Sequence, residues 1–440
     1  MAGSPRYVAG ASSHRLLIMQ PAQQNRNRRR FSLLASLLIG ACVVGCPQPS
    51  PEIKQSKQTP SQSTQKQTPK TKATGSDWTS FRGNAQSTGF TEGETGDSLL
   101  PAWKFQLDDG GFESSAAIVA TKDAATGVEQ KTVYIAGLTN DVRGKLFALD
   151  LEDGSKRWEF ESEDGFLTTP VVDDGKLYLG DMEGKFFCVD ATGEKQWTYK
   201  TEIEINSSAN TYKDLVLFGS QDGALYALDK VTGDFKWKHT TEDQIQCSIT
   251  VAKNHAFLAG CDSMLHVIDL DTGKETGNIK LSSPTISTPA ANGDTTYFGN
   301  ENGTFYCVDA AAAKTNWTVE DERGGNSIRS SAAIAEGHIV FGARNRKLYS
   351  YNPQTGAENW STTLKNKVDS SPVIVKNRVI AASTDGRLYL LNLENGELLW
   401  QKQFNGGITG SPAFAHGVLI VATDDGIVYA LKFAETKDNN

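Results

Sequence analysis

The feature that most constrains this chain is a pattern of about forty residues that it copies from Asp77 onward. One copy reads Gly144-Lys-Leu-Phe-Ala-Leu-Asp150-Leu-Glu-Asp-Gly154-Ser-Lys-Arg-Trp158. Its terminal tryptophan has counterparts elsewhere in the chain, namely Trp103, Trp197, Trp237, Trp317, Trp360 and Trp400. A fixed period of this length is the signature of solenoids and propellers. The chain is therefore predicted to be a repeat protein rather than a set of unrelated domains.

Each copy is predicted to form four short antiparallel strands, A to D. A Ser/Thr pair such as Ser114-Ser115 opens strand A, two apolar runs form strands B and C, and the tryptophan segment forms strand D. Asp-Gly at 222–223, 385–386 and 425–426 indicates B–C hairpin turns, because glycine tolerates a positive φ. One such sheet cannot bury both of its faces. Sheets stacked radially cover one another, which predicts an all-β propeller.

The number of blades follows from how the pattern ends. The Ser/Thr pair occurs eight times, with Cys247 and Gly410 in the first position of two copies. The last copy of the glycine-to-tryptophan pattern begins at Gly426 and stops before its tryptophan. The missing strand is present near the other end of the repeat region, as Pro101-Ala-Trp103-Lys-Phe. We therefore predict an eight-bladed β-propeller over residues 77–433, whose N-terminal strand completes the last blade. It is expected to be monomeric, with tryptophans packed between blades and a short tail at 434–440.

Residues 1–46 are predicted to be an export signal with a lipid-attachment site. Arginines at 28–30 precede an apolar run that ends in Val43-Val44-Gly45-Cys46, which resembles a bacterial lipobox. Cys46 is the predicted lipidated residue, and Cys42 is the alternative. Residues 47–76 are Pro, Gln, Ser, Thr and Lys with few apolar residues, which is typical of a disordered linker. The protein is thus expected to be lipid-anchored to the cell envelope, on the periplasmic side of the outer membrane.

The charge distribution argues against a nucleic-acid partner. The whole chain has a net charge of −8, but residues 1–76 are strongly basic, so residues 77–440 have a net charge of −18. Nucleic-acid-binding domains usually show the opposite balance.

The repeat resembles that of pyrroloquinoline-quinone (PQQ) propellers. The residues that carry the resemblance include Ala227, Asp229, Gly233 and Trp237, and the leader Asp77-Trp78-Thr-Ser-Phe-Arg-Gly-Asn84 is similar to that of many such bacterial proteins. Two functional classes share this repeat. Quinoprotein dehydrogenases bind PQQ and calcium, whereas BamB-like lipoproteins of outer-membrane assembly are non-catalytic scaffolds. Fold alone does not decide between them.

The sequence favours a BamB-like scaffold without a cofactor. The dehydrogenases typically have adjacent cysteines beside PQQ and long insertions around it, while this chain has no Cys-Cys pair and keeps its copies short. A PQQ-dependent dehydrogenase with calcium remains the alternative. The histidines, at 14, 239, 255, 266, 338 and 416, show no ligand spacing, and no nucleophile–base pair can be assigned. No catalytic and no metal site is predicted.

One sector of the propeller is predicted to bind a protein partner of the envelope. The D–A and B–C loops emerge on the same face, and those of blades 2–4 are acidic. The corresponding loops of blades 6 and 7 contain the basic residues Arg323, Arg329, Arg344, Arg346, Lys365 and Lys367. Clustered basic residues on an acidic domain indicate docking of an acidic partner; ordinary solvated loops are the alternative.

Cys247 and Cys261 form a possible disulfide in blade 4. They are placed at the start of strand A and the end of strand B, so a hairpin would bring them to the same end of the sheet. An exported protein meets oxidising conditions, which permit such a bridge. Two free thiols are the alternative.

Overall fold

The computed structural model of the protein describes residues 77–122, 127–320 and 326–434. These residues form 34 β-strands, numbered here in chain order. No helix in this part of the chain is long and apolar enough to span a membrane. The predicted signal, both candidate lipidation cysteines and the linker lie outside the described residues.

Eight sheets contain all the strands, one for each blade. Blades 1 to 4 consist of β4–β7 (Ala117–Lys122, Glu129–Thr139, Gly144–Asp150, Lys156–Ser162), β8–β11 (Val171–Asp173, Lys176–Gly180, Lys185–Asp190, Lys195–Lys200), β12–β15 (Asn210–Tyr212, Leu215–Gly219, Ala224–Asp229, Phe235–Thr240) and β16–β19 (Thr250–Ala252, His255–Ala259, Met264–Asp269, Lys274–Lys280). Blades 5 to 7 consist of β20–β23 (Ala290–Asn292, Thr295–Gly299, Thr304–Asp309, Lys314–Glu320), β24–β27 (Ala333–Ala335, His338–Gly342, Lys347–Tyr351, Glu358–Thr363) and β28–β31 (Val373–Val375, Arg378–Ser383, Arg387–Asn392, Leu398–Gln403). Blade 8 contains β32–β34 (Ala413–Ala415, Val418–Ala422, Ile427–Phe433) and β2 (Leu99–Gln106). Two-residue strands β1 (Phe90–Thr91) and β3 (Gly110–Gly111) pair with β28 and β5.

Blade 8 is completed by the N-terminal strand, as predicted. β2 pairs antiparallel with β34, and Trp103 lies opposite Ala430. Trp237 lies opposite Ala227 in the same way in blade 3. The all-β, eight-bladed fold with four-stranded antiparallel blades is confirmed. Gly223, in the B–C turn of blade 3, has a φ of 80°, which confirms the hairpin predicted there.

The tryptophans of strand D join neighbouring blades through a specific contact with glycine. Six of the seven rings lie over the glycine of the C–D turn in the next blade, so closely that a Cβ on Gly233 would be 2.6 Å from Trp197 Cδ2. Several indole N–H groups also donate to that turn, as Trp158 Nε1 does to the Ala191 carbonyl at 2.8 Å. The joined pairs are Trp103–Gly154, Trp158–Gly193, Trp197–Gly233, Trp237–Gly273, Trp317–Gly356 and Trp360–Gly396.

Two joints depart from this arrangement. Blade 4 has Gly277 in place of the tryptophan, and blade 5 has Ala313 in place of the glycine. A Cβ on Gly277 would meet the Ala313 Cβ at 3.4 Å. The two departures therefore lie opposite each other, in the same joint between blades 4 and 5. Trp400 of blade 7 faces blade 8, where the described chain has no C–D turn because strand D comes from the N-terminal side.

Candidate functional site

A closed ring of hydroxyl groups surrounds the axis of the propeller. The second residue of each Ser/Thr pair accepts a hydrogen bond from the backbone N–H of its counterpart in the preceding blade, at 2.8–3.2 Å. The last blade donates to the first, from Ser411 N to Ser115 Oγ at 2.8 Å, which closes the circle. The members are Ser115, Thr169, Ser208, Ser248, Thr288, Ser331, Ser371 and Ser411. The repeated pair noticed in the sequence is therefore the inner joint between blades.

The chain's own residues 77–91, here called the plug, run past the inner strands of most blades. Its carbonyls accept hydrogen bonds from innermost strands around the axis, among them Val172 N to Thr79 O and Ile374 N to Gly89 O, both at 2.8 Å. Strands of blades 4, 5 and 6 donate in the same way. Trp78 exchanges two hydrogen bonds with Ile118 of blade 1. The plug thus pairs the inner edges that strand A would otherwise leave open.

Arg82 lies in the middle of the plug and is 1% exposed. Its guanidinium donates to the carbonyls of Ala332 at 3.1 Å, Ser371 at 3.3 Å and Pro372 at 2.5 Å. Because burial in this site disfavours the charged form, the pKa of Arg82 is lowered to about 9. The side chain therefore ties the plug to blades 6 and 7 through backbone groups alone.

The axial residues do not fit PQQ with calcium at the level of the plug. The guanidinium nearest the axis already donates to three carbonyls instead of facing open space. Calcium requires six to eight oxygen ligands. Within the described ranges, one group of at least three His, Cys, Asp or Glu side chains could hold a metal, and it lies between blades 3 and 4. That group, His239, His266 and Glu275, was missed in the sequence because its members belong to different strands. The histidines lack ligand spacing along the chain, whereas blade packing brings His239 and His266 close to Glu275.

Two arginines of the predicted partner-binding sector are engaged within the protein. Arg329 binds both carboxylate oxygens of Glu301 at 3.0 Å. Arg344 binds Asp369, with Nη2–Oδ2 at 2.9 Å. Each pair connects a D–A segment to a neighbouring B–C turn. Both guanidinium groups thus pair with carboxylates of the same chain, and the docking role of these two arginines stays a prediction.

The other predicted docking residues differ in placement. Arg346, Lys365 and Lys367 are exposed, and Arg323 lies outside the described residues. Beside Arg346 a cavity of about 800 Å³ lies between blades 5 and 6. Phe305 and Phe341, stacked with ring centroids 3.9 Å apart, form part of its wall.

The bridge considered between Cys247 and Cys261 is not formed, and both are free thiols. Neither lies within a strand, because β16 begins at Thr250 and β17 ends at Ala259. If the β16–β17 register is extended, Cys247 lies opposite residue 260, so Cys261 is offset from it by one residue. Cys247 instead donates from Sγ to the Ala259 carbonyl at 2.7 Å. Ser330 makes the equivalent contact in blade 6, with Gly342 O at 2.8 Å.

Comparison with known proteins identifies the family. The sequence profile of the family described as outer membrane protein assembly factor BamB matches residues 100–248 and 237–438. The chain belongs to this family. A crystal structure of BamB from Moraxella catarrhalis has a TM-score of 0.61 at 18% identity, covering 78% of this chain and all of that one.

Quinoproteins are similar to the chain as well. The quinoprotein alcohol dehydrogenase PedH of Pseudomonas putida KT2440 is 34% identical over 87 residues, which are 17% of this chain and 15% of that protein. The chain therefore spans a small part of this curated relative. A europium-containing methanol dehydrogenase has a TM-score of 0.70 at 13% identity, covering 81% of this chain and 98% of that one. Identities this low show the propeller fold alone, which the BamB family shares with these enzymes.

Proposed function

We propose that this member of the BamB family is a membrane-anchored, non-catalytic scaffold that docks a protein partner of the bacterial envelope. The observation that carries the proposal is the plug. Residues 77–91 hydrogen-bond to inner strands around the axis, and the Arg82 guanidinium is engaged by backbone carbonyls there. Basic loop residues stay exposed on one face of an otherwise acidic domain. Binding through a surface fits these two features better than chemistry at the axis.

The docking surface consists of Arg346, Lys365 and Lys367. Since these side chains are exposed and positive, they attract an acidic partner and speed its encounter. The cavity beside Arg346 has aromatic walls, and aromatic and arginine side chains are common anchors of protein interfaces. The partner proposed here is therefore an acidic segment with an apolar side chain that enters this cavity.

The membrane anchor is a lipid on Cys46. The segment 47–76, rich in Pro, Gln, Ser, Thr and Lys, then connects the anchor to the propeller. Export and attachment to the outer membrane complete the proposal.

Charge reversal tests the docking surface. The triple variant Arg346→Glu, Lys365→Glu, Lys367→Glu should lower recovery of cross-linked partners from membranes at least tenfold, and low salt should raise recovery with the wild type. The matched control reverses three exposed lysines on outer strands of other blades, namely Lys104, Lys195 and Lys274. Equal recovery with both triple variants would show that this surface does not dock the partner.

Two cysteine variants test the anchor. Cys46→Ser should release the protein from the membrane fraction and abolish the mass of the acyl groups, whereas Cys42→Ser should do neither. The reverse result would move the lipid to Cys42. Unmodified cysteines in the mature wild-type protein would refute the anchor.

A PQQ-dependent dehydrogenase is the second candidate, because part of the chain is similar to PedH, which is a quinoprotein alcohol dehydrogenase. Purified protein incubated with PQQ, calcium and a panel of alcohols should not reduce an artificial electron acceptor if the chain is a scaffold. Reduction that requires PQQ and calcium would establish the enzyme instead.

A further inference from the structure

Three potential metal ligands converge between blades 3 and 4. His239 is on β15, the outer strand of blade 3, while His266 and Glu275 are on β18 and β19 of blade 4. Their ligand atoms all lie within 4.8 Å of one another. Glu275 Oε2 is 2.7 Å from His266 Nδ1 and 3.4 Å from His239 Nε2. The blade joint thus brings two imidazoles to one carboxylate oxygen.

The surrounding residues hold these ligands as they are held in metal sites. Asp262, whose side chain is 2% exposed, lies 2.9 Å from His266 Nε2, which leaves Nδ1 to face Glu275. A histidine that binds metal through one ring nitrogen almost always donates from the other to such a carboxylate. The amide of Asn278 donates to Glu275 Oε1, so Oε2 remains directed at the histidines. Two of the three ligands therefore have a supporting partner.

His239 supplies a second, independent observation. Its Nε2 is buried and makes no hydrogen bond within the described ranges. A buried polar atom without a hydrogen bond is uncommon and calls for a physical reason. A metal ion bound at this nitrogen would supply that reason.

We propose that His239, His266 and Glu275 bind a zinc ion that links blade 3 to blade 4. Two imidazole nitrogens and one carboxylate oxygen are typical zinc ligands, and a water completes a tetrahedron. The ion would lie beside the Trp237–Gly273 contact of the same joint. This inference does not depend on the proposed scaffold function. The competing arrangement is a metal-free ion pair, with an imidazolium at His266 between Asp262 and Glu275.

Cobalt is the probe that separates the two arrangements. Full-length protein without a histidine tag, stripped with a chelator, should develop the visible absorption of tetrahedral Co²⁺ at one equivalent and lose it when Zn²⁺ is added. His239→Gln and Glu275→Gln should weaken zinc binding at least 100-fold. Asp262→Asn should weaken it 10- to 100-fold, the usual effect of losing such a support. The matched control is His255→Gln, which changes a histidine of the same blade outside the cluster.

Proton competition gives a further readout. Zinc binds the neutral imidazole, so protons compete with it at both histidines and its affinity should fall as the pH is lowered. Zinc should also raise the thermal midpoint of the wild type and of His255→Gln, but not of Glu275→Gln. An absent cobalt band, or equal zinc affinity in the wild type and Glu275→Gln, would overturn the proposal in favour of the ion pair.

Discussion

The inner and outer ends of the blades are joined by different chemistry. At the axis, every blade contributes the same hydroxyl-to-backbone hydrogen bond, and the plug adds further backbone pairing. At the rim, an indole lies over a glycine, and two of the joints lack this contact. The inner joint is uniform because eight short strands converge there, and their buried polar groups must all be satisfied. The rim is more tolerant, since the loss of an apolar contact leaves no buried polar group without a partner.

Removing Arg82 should have the largest effect, because it leaves buried inner groups without partners. Arg82→Ala deprives three carbonyls of their donor, and each unsatisfied group costs about 1–3 kcal/mol. We expect the free energy of unfolding in urea to fall by about 4 kcal/mol. Arg143→Ala, which changes an arginine with a 59% exposed side chain, is the control and should cost below about 0.5 kcal/mol. Similar losses in both variants would mean that the plug does not stabilise the inner joint.

A methyl group at a rim joint should have the next largest effect. Gly233→Ala places a Cβ 2.6 Å from Trp197, whereas Gly417→Ala meets no atom within 4 Å. Their φ angles are 78° and 79°, so both variants carry the same backbone strain of about 1–2 kcal/mol. The indole clash should add about 1–2 kcal/mol for Gly233→Ala alone.

The comparison of these two variants isolates the rim contact from backbone strain. Thermal unfolding should show a lower midpoint for Gly233→Ala than for Gly417→Ala. If the two midpoints coincide, the indole shifts without cost, and the rim joints contribute little to stability.

Restoring the regular contact between blades 4 and 5 should have a smaller effect. Gly277→Trp alone places an indole against the Ala313 side chain, while Ala313→Gly alone removes a methyl group from a residue with a φ of 48°. The double variant should be more stable than the sum of the two changes predicts, by about 1 kcal/mol. A double-mutant cycle measured by urea unfolding checks this. Zero coupling energy would show that a tryptophan and a glycine at these two positions are not sufficient to form the contact.

The repeated parts of this structure could be predicted from the sequence, and the unique parts could not. The eighth blade followed from Trp103 and Gly426, because a residue that makes the same contact in each blade leaves a periodic trace. The plug occurs once, so periodicity gives no sign of it, and the partners of Arg82 are 250 or more residues away. His239 and His266 belong to neighbouring blades, and only their packing brings them together.

Cys247 offers the smallest effect and tests whether the inner end of blade 4 depends on a hydrogen-bond donor or on a particular atom. Its thiol donates to Ala259 O, as the hydroxyl of Ser330 does to Gly342 O. Cys247→Ser should therefore change the free energy of unfolding by less than about 0.5 kcal/mol, while Cys247→Ala should cost about 1–2 kcal/mol because the buried carbonyl loses its donor.

Thiol titration of the denatured, unreduced protein completes this test. The described chain contains Cys188, Cys247, Cys261 and Cys307, all free. All four should react after denaturation. Two missing thiols that appear only after reduction would show that the Cys247–Cys261 bridge forms.

In the folded protein Cys261 should react first, since it is the only one of these four that is not fully buried. Its reaction should still be slow at pH 8, because burial raises the pKa of its thiol to about 11 and leaves little thiolate. A fast reaction at Cys247 would instead show that the inner end of blade 4 opens in solution, beside the ring member Ser248.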